Sequence, residues 1–148
     1  FMASNDAANT DEYGEFEDWI EIYNPGTEPI DIGGMYITDK LDELTEYQIP
    51  DTYPDSTTIP SGGFLVLYCD KQTEQGILHV NIKLSGSGEQ IGLTAPNGVT
   101  VIDSLTYDTE TIGALGYGLQ TDQSYGRQPD GSDTWVIYSD YTPGSSNN

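Results

Sequence analysis

Apolar residues recur along this chain in short runs that alternate with polar ones, and most runs end on Gly, Pro or Asn. The stretch Asp18-Trp19-Ile20-Glu21-Ile22-Tyr23-Asn24-Pro25-Gly26 sets the theme. Ile20 and Ile22 point one way and Trp19, Glu21 and Tyr23 the other, which is the period of a strand with one face on a core. Pro25 removes a ladder donor and Gly26 tolerates positive φ, so the strand stops there. The same reading predicts strands over Phe1 to Ser4, Glu28 to Ile32, Met35 to Thr38, Thr45 to Ile49, Glu89 to Ala95, Val99 to Tyr107, Ser124 to Arg127 and Thr134 to Tyr138. Phe64 to Cys69 is the longest apolar run and is expected to be a central strand, apolar on both faces.

Leu78 to Leu84 alternates most cleanly, with Leu78, Val80, Ile82 and Leu84 inward and His79, Asn81 and Lys83 outward. Pro96-Asn97-Gly98 is expected to make a type I′ hairpin turn, after which Val99, Val101 and Leu105 point inward. Asn5 to Glu17, Asp51 to Pro60 and the Gly-rich Asp108 to Asp122 read as loops. No sustained 3.6-residue apolar spacing occurs without Gly or Pro. Short strands with such punctuation predict an all-β sandwich or barrel of mainly antiparallel sheets. One domain over 1–144 is expected, with 145–148 as tail.

Length and charge narrow the picture. A chain of 148 residues suits one domain, and such a domain buries roughly 70% of its unfolded surface. With 25 acids against 4 bases the net charge is −21, a field that repels phosphate backbones and anionic lipid, so neither nucleic acid nor membrane insertion is expected. Eleven tyrosines and two tryptophans separate the chain from acidic disordered sequences. One cysteine, Cys69, excludes an internal disulfide. No apolar run approaches the ~20 residues that span a bilayer. The opening Phe1-Met2-Ala3 reads as the inside of a strand, so the chain is expected to be a piece of a longer protein.

Six motifs occur in one order: Asp18 to Gly26, Gly33-Gly34-Met35-Tyr36-Ile37-Thr38-Asp39, Ile59-Pro60-Ser61-Gly62-Gly63, Leu84-Ser85-Gly86-Ser87-Gly88-Glu89, Gly126-Arg127-Gln128-Pro129-Asp130-Gly131 and Thr142-Pro143-Gly144. Together they make the chain resemble the lamin tail domain of bacterial secreted proteins. That resemblance implies an immunoglobulin-like β-sandwich, appended as a non-catalytic accessory or attachment module to a secreted or cell-envelope multidomain protein. It implies an extracellular or envelope location and a protein or glycan partner. The related domain of nuclear lamins binds protein and sometimes DNA, and the charge here argues against the latter.

The candidate chemistry is sparse. His79 is the only histidine, and alternation places it on the polar face of a strand, a poor position for a general base. Cys69 closes a buried strand, where a thiol behaves as a small inert hydrophobe. Acids are too numerous for any pair to mark a glycosidase. Calcium is the sharper expectation, because clustered oxygens on a Gly-containing loop suit that ion. Asn5, Asp11 and Asp18 are the expected ligands, with Asp6 and Glu17 in reserve. Arg127, the only arginine, is expected to hold a carboxylate or carbonyls near its turn. Trp19, Tyr23, Tyr36 and Tyr68 are the residues that would stack on sugar rings from an open sheet face, although strand aromatics more often fill a core. The expectation is therefore a monomeric, non-catalytic binding module that requires no cofactor and is stabilised by calcium. The alternatives are a structural spacer beside a catalytic domain and a glycosidase or phosphoesterase.

Overall fold

The structure is a computed structural model and describes residues 1–108, 112 and 119–147. In chain order its elements are β1 (Trp19–Tyr23), β2 (Ile30–Asp31), β3 (Tyr36–Thr38), β4 (Tyr47–Gln48), α1 (Pro54–Thr57), β5 (Thr58–Ile59), β6 (Phe64–Tyr68), β7 (Gly88–Thr94), β8 (Val101–Asp108), β9 (Ser124–Arg127) and β10 (Trp135–Tyr138). Every pairing between these strands is antiparallel.

One layer is the sheet β4-β3-β7-β8. The other grows around β1, which pairs with β6 from Trp19 opposite Tyr68 to Tyr23 opposite Phe64. Met2 bonds the outer side of β1 at Trp19, with N···O distances of 2.9 and 3.0 Å. Phe1 in turn exchanges backbone bonds with Tyr125 of β9. The expected first strand is thus a short extended segment that joins the β9-β10 hairpin to β1. On the far side of β6, Tyr68 donates to Leu78 O and accepts from Val80 N, both at 2.8 Å. Between the layers lie Ile20, Ile37, Ile49, Ile59, Leu67, Val80, Ile82, Ile91 and Leu93, all buried. Burying each such side chain contributes about 1.5–3 kcal/mol. The result is the expected sandwich.

Four local expectations need correction. Leu78 to Leu84 buries Val80, Ile82 and Leu84 and exposes Asn81 and Lys83 as its alternation demands, yet only His79 bridges a neighbour, Tyr68. Alternation reports burial, and the ladder partner that makes a strand is absent for the rest of this crossing segment. Val99 and Val101 are exposed, at 73% and 43%. The β7-β8 register shifts between Leu93 and Thr94, which pair with Asp103 and Val101, so Ile102 is an extra residue that reverses facing beyond it. Leu105 and Tyr107, after the bulge, keep the inward side.

The Asn-Gly turn is not type I′. Only Gly98 has positive φ (+73°), Gly98 N donates to Ala95 O, and the chain closes from Ala95 N to Thr100 O. Pro96 favours negative φ at the first corner, while Asn97 Oδ1 accepts from Val99 N and Thr100 N. Within the expected loop Asp51 to Pro60, Pro54 opens the single-turn α1, the one helical position that suits proline. Most of the expected loop after Asp108 lies outside the described residues. In the expected tail, Asn147 bonds Asp130 and Arg127 O.

Candidate functional site

Before β1 the acidic loop folds back over the end of β6. Asp11 is its hub: Oδ1 accepts from Tyr13 N at 2.8 Å and Glu15 N at 2.9 Å, an Asx-type turn that an aspartate before a Gly-containing corner makes readily. Its Oδ2 is buried and has no hydrogen-bond partner. Asp70 follows the apolar run of β6 directly, and its Oδ1 accepts from Gln72 N at 2.8 Å. Asp70 Oδ2 meets His79 Nδ1 at 2.5 Å, and both side chains are fully buried. His79 Nε2 lies 3.2 Å from Oε1 of the half-exposed Glu12. The imidazole stacks on Tyr68 (centroids 5.2 Å apart) and meets the edge of Tyr13 at 6.0 Å. Burial pulls the imidazole pKa down, but hydrogen bonds to the Asp70 and Glu12 carboxylates outweigh it and the net direction is up.

His79 is therefore not the surface histidine that alternation predicts. The N-terminal loop covers the polar side of the chain there, and nothing local in Leu78 to Leu84 reports a cover supplied from residues 11–13. The one sequence hint was a carboxylate placed immediately after a buried strand. Among the described residues, Asp11, Asp70 and His79 are the group of His, Cys, Asp or Glu whose ligand atoms, one from each, all lie within 4.8 Å of one another.

Of the residues expected to hold calcium, only Asp11 joins that group. Asn5 is buried and spends its side chain inside the loop: Nδ2 donates to Asn9 O and Glu17 O, both at 2.8 Å, and Oδ1 accepts from Ala8 N. Asp18 is held next to the Asn5 backbone N–H, and burial raises its carboxyl to about 6. Asp6 is exposed, with its N–H on Asp122 Oδ1. Burial, then the nearby Asp70 charge, raises Glu17. Burial also pushes the Cys69 thiol up, in keeping with an inert role.

The aromatic candidates separate. Trp19 is buried, with Nε1 donating to Asn9 Oδ1 at 2.9 Å, so it offers no platform to a sugar. Tyr36 lies half-buried in β3, and Tyr68 covers His79. Tyr23 alone reaches an opening: stacked on Phe64 at 4.8 Å, it lines a cleft of about 450 Å³ between the layers. Apolar residues from both layers, among them Ile22, Ile37 and Leu93, line this cleft, as do Glu21, Asp103, Asp130 and Asp133. Arg127 stands beside it, its Nη2 shared between both carboxylate oxygens of Asp103 at 3.1 Å, its Nη1 donating to Ser132 O at 2.6 Å and its guanidinium resting 4.7 Å over the Trp135 ring. That is the structural role expected of it.

Two antiparallel layers with an interior of alternate side chains, and no helix among the described residues long and apolar enough to cross a membrane, define an immunoglobulin-like sandwich module. The family model for the lamin tail domain matches residues 2–109, and the chain belongs to that family. Lamin tail domains are immunoglobulin-like modules compatible with a non-catalytic accessory role. No curated protein and no solved structure gave a match.

Proposed function

We propose that this domain is a non-catalytic attachment module of a secreted or cell-envelope protein, and that it captures an extended protein segment along strand β8. The observation that carries the reading is the outer edge of the four-stranded sheet. β8 is eight residues long, and among the described residues no strand pairs with the far side of its residues 101–107. Val101 and Ile102 lie exposed on it, at 43% and 48%. A long edge with apolar side chains is the template on which a partner chain adds a strand.

The cleft opens beside that edge, and Ile102, Asp103, Ser104 and Leu105 belong to both. The acids around the cleft select the partner's charge: a segment with apolar residues flanked by Lys or Arg fits an apolar floor ringed by carboxylates. Backbone pairing supplies affinity, and the cleft supplies specificity.

The test is selection of a displayed library of extended peptides against the domain, run beside a glycan array. Enriched apolar peptides with basic flanks, whose binding is lost on Ile102→Arg, support the reading. Binding of glycans alone, or of peptides indifferent to Ile102→Arg, defeats it.

A further inference from the structure

We infer that Asp11, Asp70 and His79 form a binding site for one divalent transition-metal ion of the zinc class, which clasps the acidic N-terminal loop to the end of β6. This inference is independent of any partner at β8.

The geometry has the features such a site needs. All three side chains are buried and carry one ligand atom each within a 4.8 Å set. Each carboxylate is held by backbone N–H groups on Oδ1, two for Asp11 and one for Asp70, so neither can turn away. That leaves Oδ2 of each for another task. In Asp70 it faces His79 Nδ1, and in Asp11 it is buried with no partner. A buried carboxylate oxygen without a donor costs free energy that a cation would recover.

The histidine is prepared in the same way. With Nε2–H donated to Glu12 Oε1, the Nδ1 lone pair is left to coordinate, the arrangement in which an outer carboxylate fixes the tautomer of a metal-bound imidazole. Tyr68 and Tyr13 hold the ring plane.

The donor set chooses the ion. One imidazole nitrogen and two carboxylate oxygens suit zinc and its first-row neighbours, whereas calcium takes six to eight oxygens and magnesium keeps most of its water. Bonds of about 2.1 Å in tetrahedral geometry put two ligand atoms about 3.4 Å apart. Loading the ion therefore widens the 2.5 Å contact between Asp70 Oδ2 and His79 Nδ1 by about 1 Å, and any proton on that nitrogen is released to solvent. Water completes the fourth position.

The experiment uses the whole chain, stripped with chelator and titrated with zinc chloride. Native mass spectrometry and calorimetry should show one tight zinc per chain, and a roughly 100-fold excess over Kd should raise the melting midpoint by about 5–10 °C. Asp11→Asn, which keeps the Oδ1 acceptor that folds the loop, should weaken zinc by more than the 10–100-fold expected for the outer-shell change Glu12→Gln. His79→Gln should abolish the tight site, and Asp18→Asn should leave it unchanged. Zinc affinity unaltered in Asp11→Asn, no saturable 1:1 binding, or a midpoint raised by millimolar calcium and not by zinc would each overturn the assignment.

Discussion

Replacing Asp18 by Asn should make this protein more stable, although a charged residue is being removed. Burial lifts the Asp18 carboxyl from 3.8 to about 6, against the pull of the Asn5 N–H and of Lys83. Two pKa units at 1.36 kcal/mol each give an upper limit of about 3 kcal/mol, and partial exposure screens this to about 1–2 kcal/mol. The sign follows from proton counting. Between about pH 3.8 and 6 the native state holds a proton that the unfolded chain has released, so this contribution is fully present below 3.8 and is lost as pH rises through 6.

Asparagine stays neutral and keeps an acceptor for the Asn5 N–H. At pH 7.5 the variant should therefore gain about 1–2 kcal/mol, or about 3–6 °C in midpoint, and the gain should fade to nothing by pH 4. Urea melts followed by tryptophan fluorescence, in chelator, at pH 4, 5, 6 and 7.5 measure it, because Trp19 is the next residue. A variant less stable at pH 7.5, or one with the same gain at pH 4, refutes the reasoning.

Three further substitutions probe the frame. Leu67 is fully buried in β6, so Leu67→Ala should cost about 3 kcal/mol in urea melts. Asn9→Ala strands the buried Trp19 Nε1 donor and should cost about 1–2 kcal/mol, with a shift in tryptophan emission. Arg127→Lys keeps the charge but cannot reach Asp103 and Ser132 O at once and loses the flat stack on Trp135; it should cost about 1 kcal/mol, as much as Arg127→Met within error, because the geometry carries the interaction.

The frame was legible wherever a local pattern decides. Ile20 and Ile22, the run Phe64 to Cys69 and the pair Ile91 and Leu93 all declare their strands, since period-2 burial is written into neighbouring residues. Legibility ended where a distant segment decides. Leu78 to Leu84 has the right alternation and no ladder, because strand structure needs a partner that no window of sequence contains. Val99 and Val101 were misplaced by one bulge residue, which changes facing without changing composition. For the candidate site, the acidic loop pointed to Asp11, but its company came from elsewhere. Asp70 and His79 are brought to it across the end of β6, and Asn5, the expected co-ligand, is consumed in holding the loop. Acid clustering raised the expectation of a cation; only the fold shows which acids face a histidine and which face water.

The β1-β6 ladder also fixes how the two proposed sites relate. Its register runs without a break from Trp19 opposite Tyr68, two residues before Asp70, to Tyr23 opposite Phe64, at the cleft. Four steps of about 3.3 Å separate these ends by about 13 Å. Coupling between sites needs an element with two arrangements that each ligand biases, and a slip of this ladder by one residue would turn Ile20 and Leu67 out of the core. Zinc loading should therefore raise stability while leaving peptide affinity at β8 within about threefold, since 1.4 kcal/mol of coupling would be needed for a factor of ten. Calorimetric titration of a selected peptide with the zinc-loaded and the chelator-stripped protein measures this. A tenfold difference would show that the ladder moves, and that the ordered loop before β1 reaches further into the binding edge than its contacts account for.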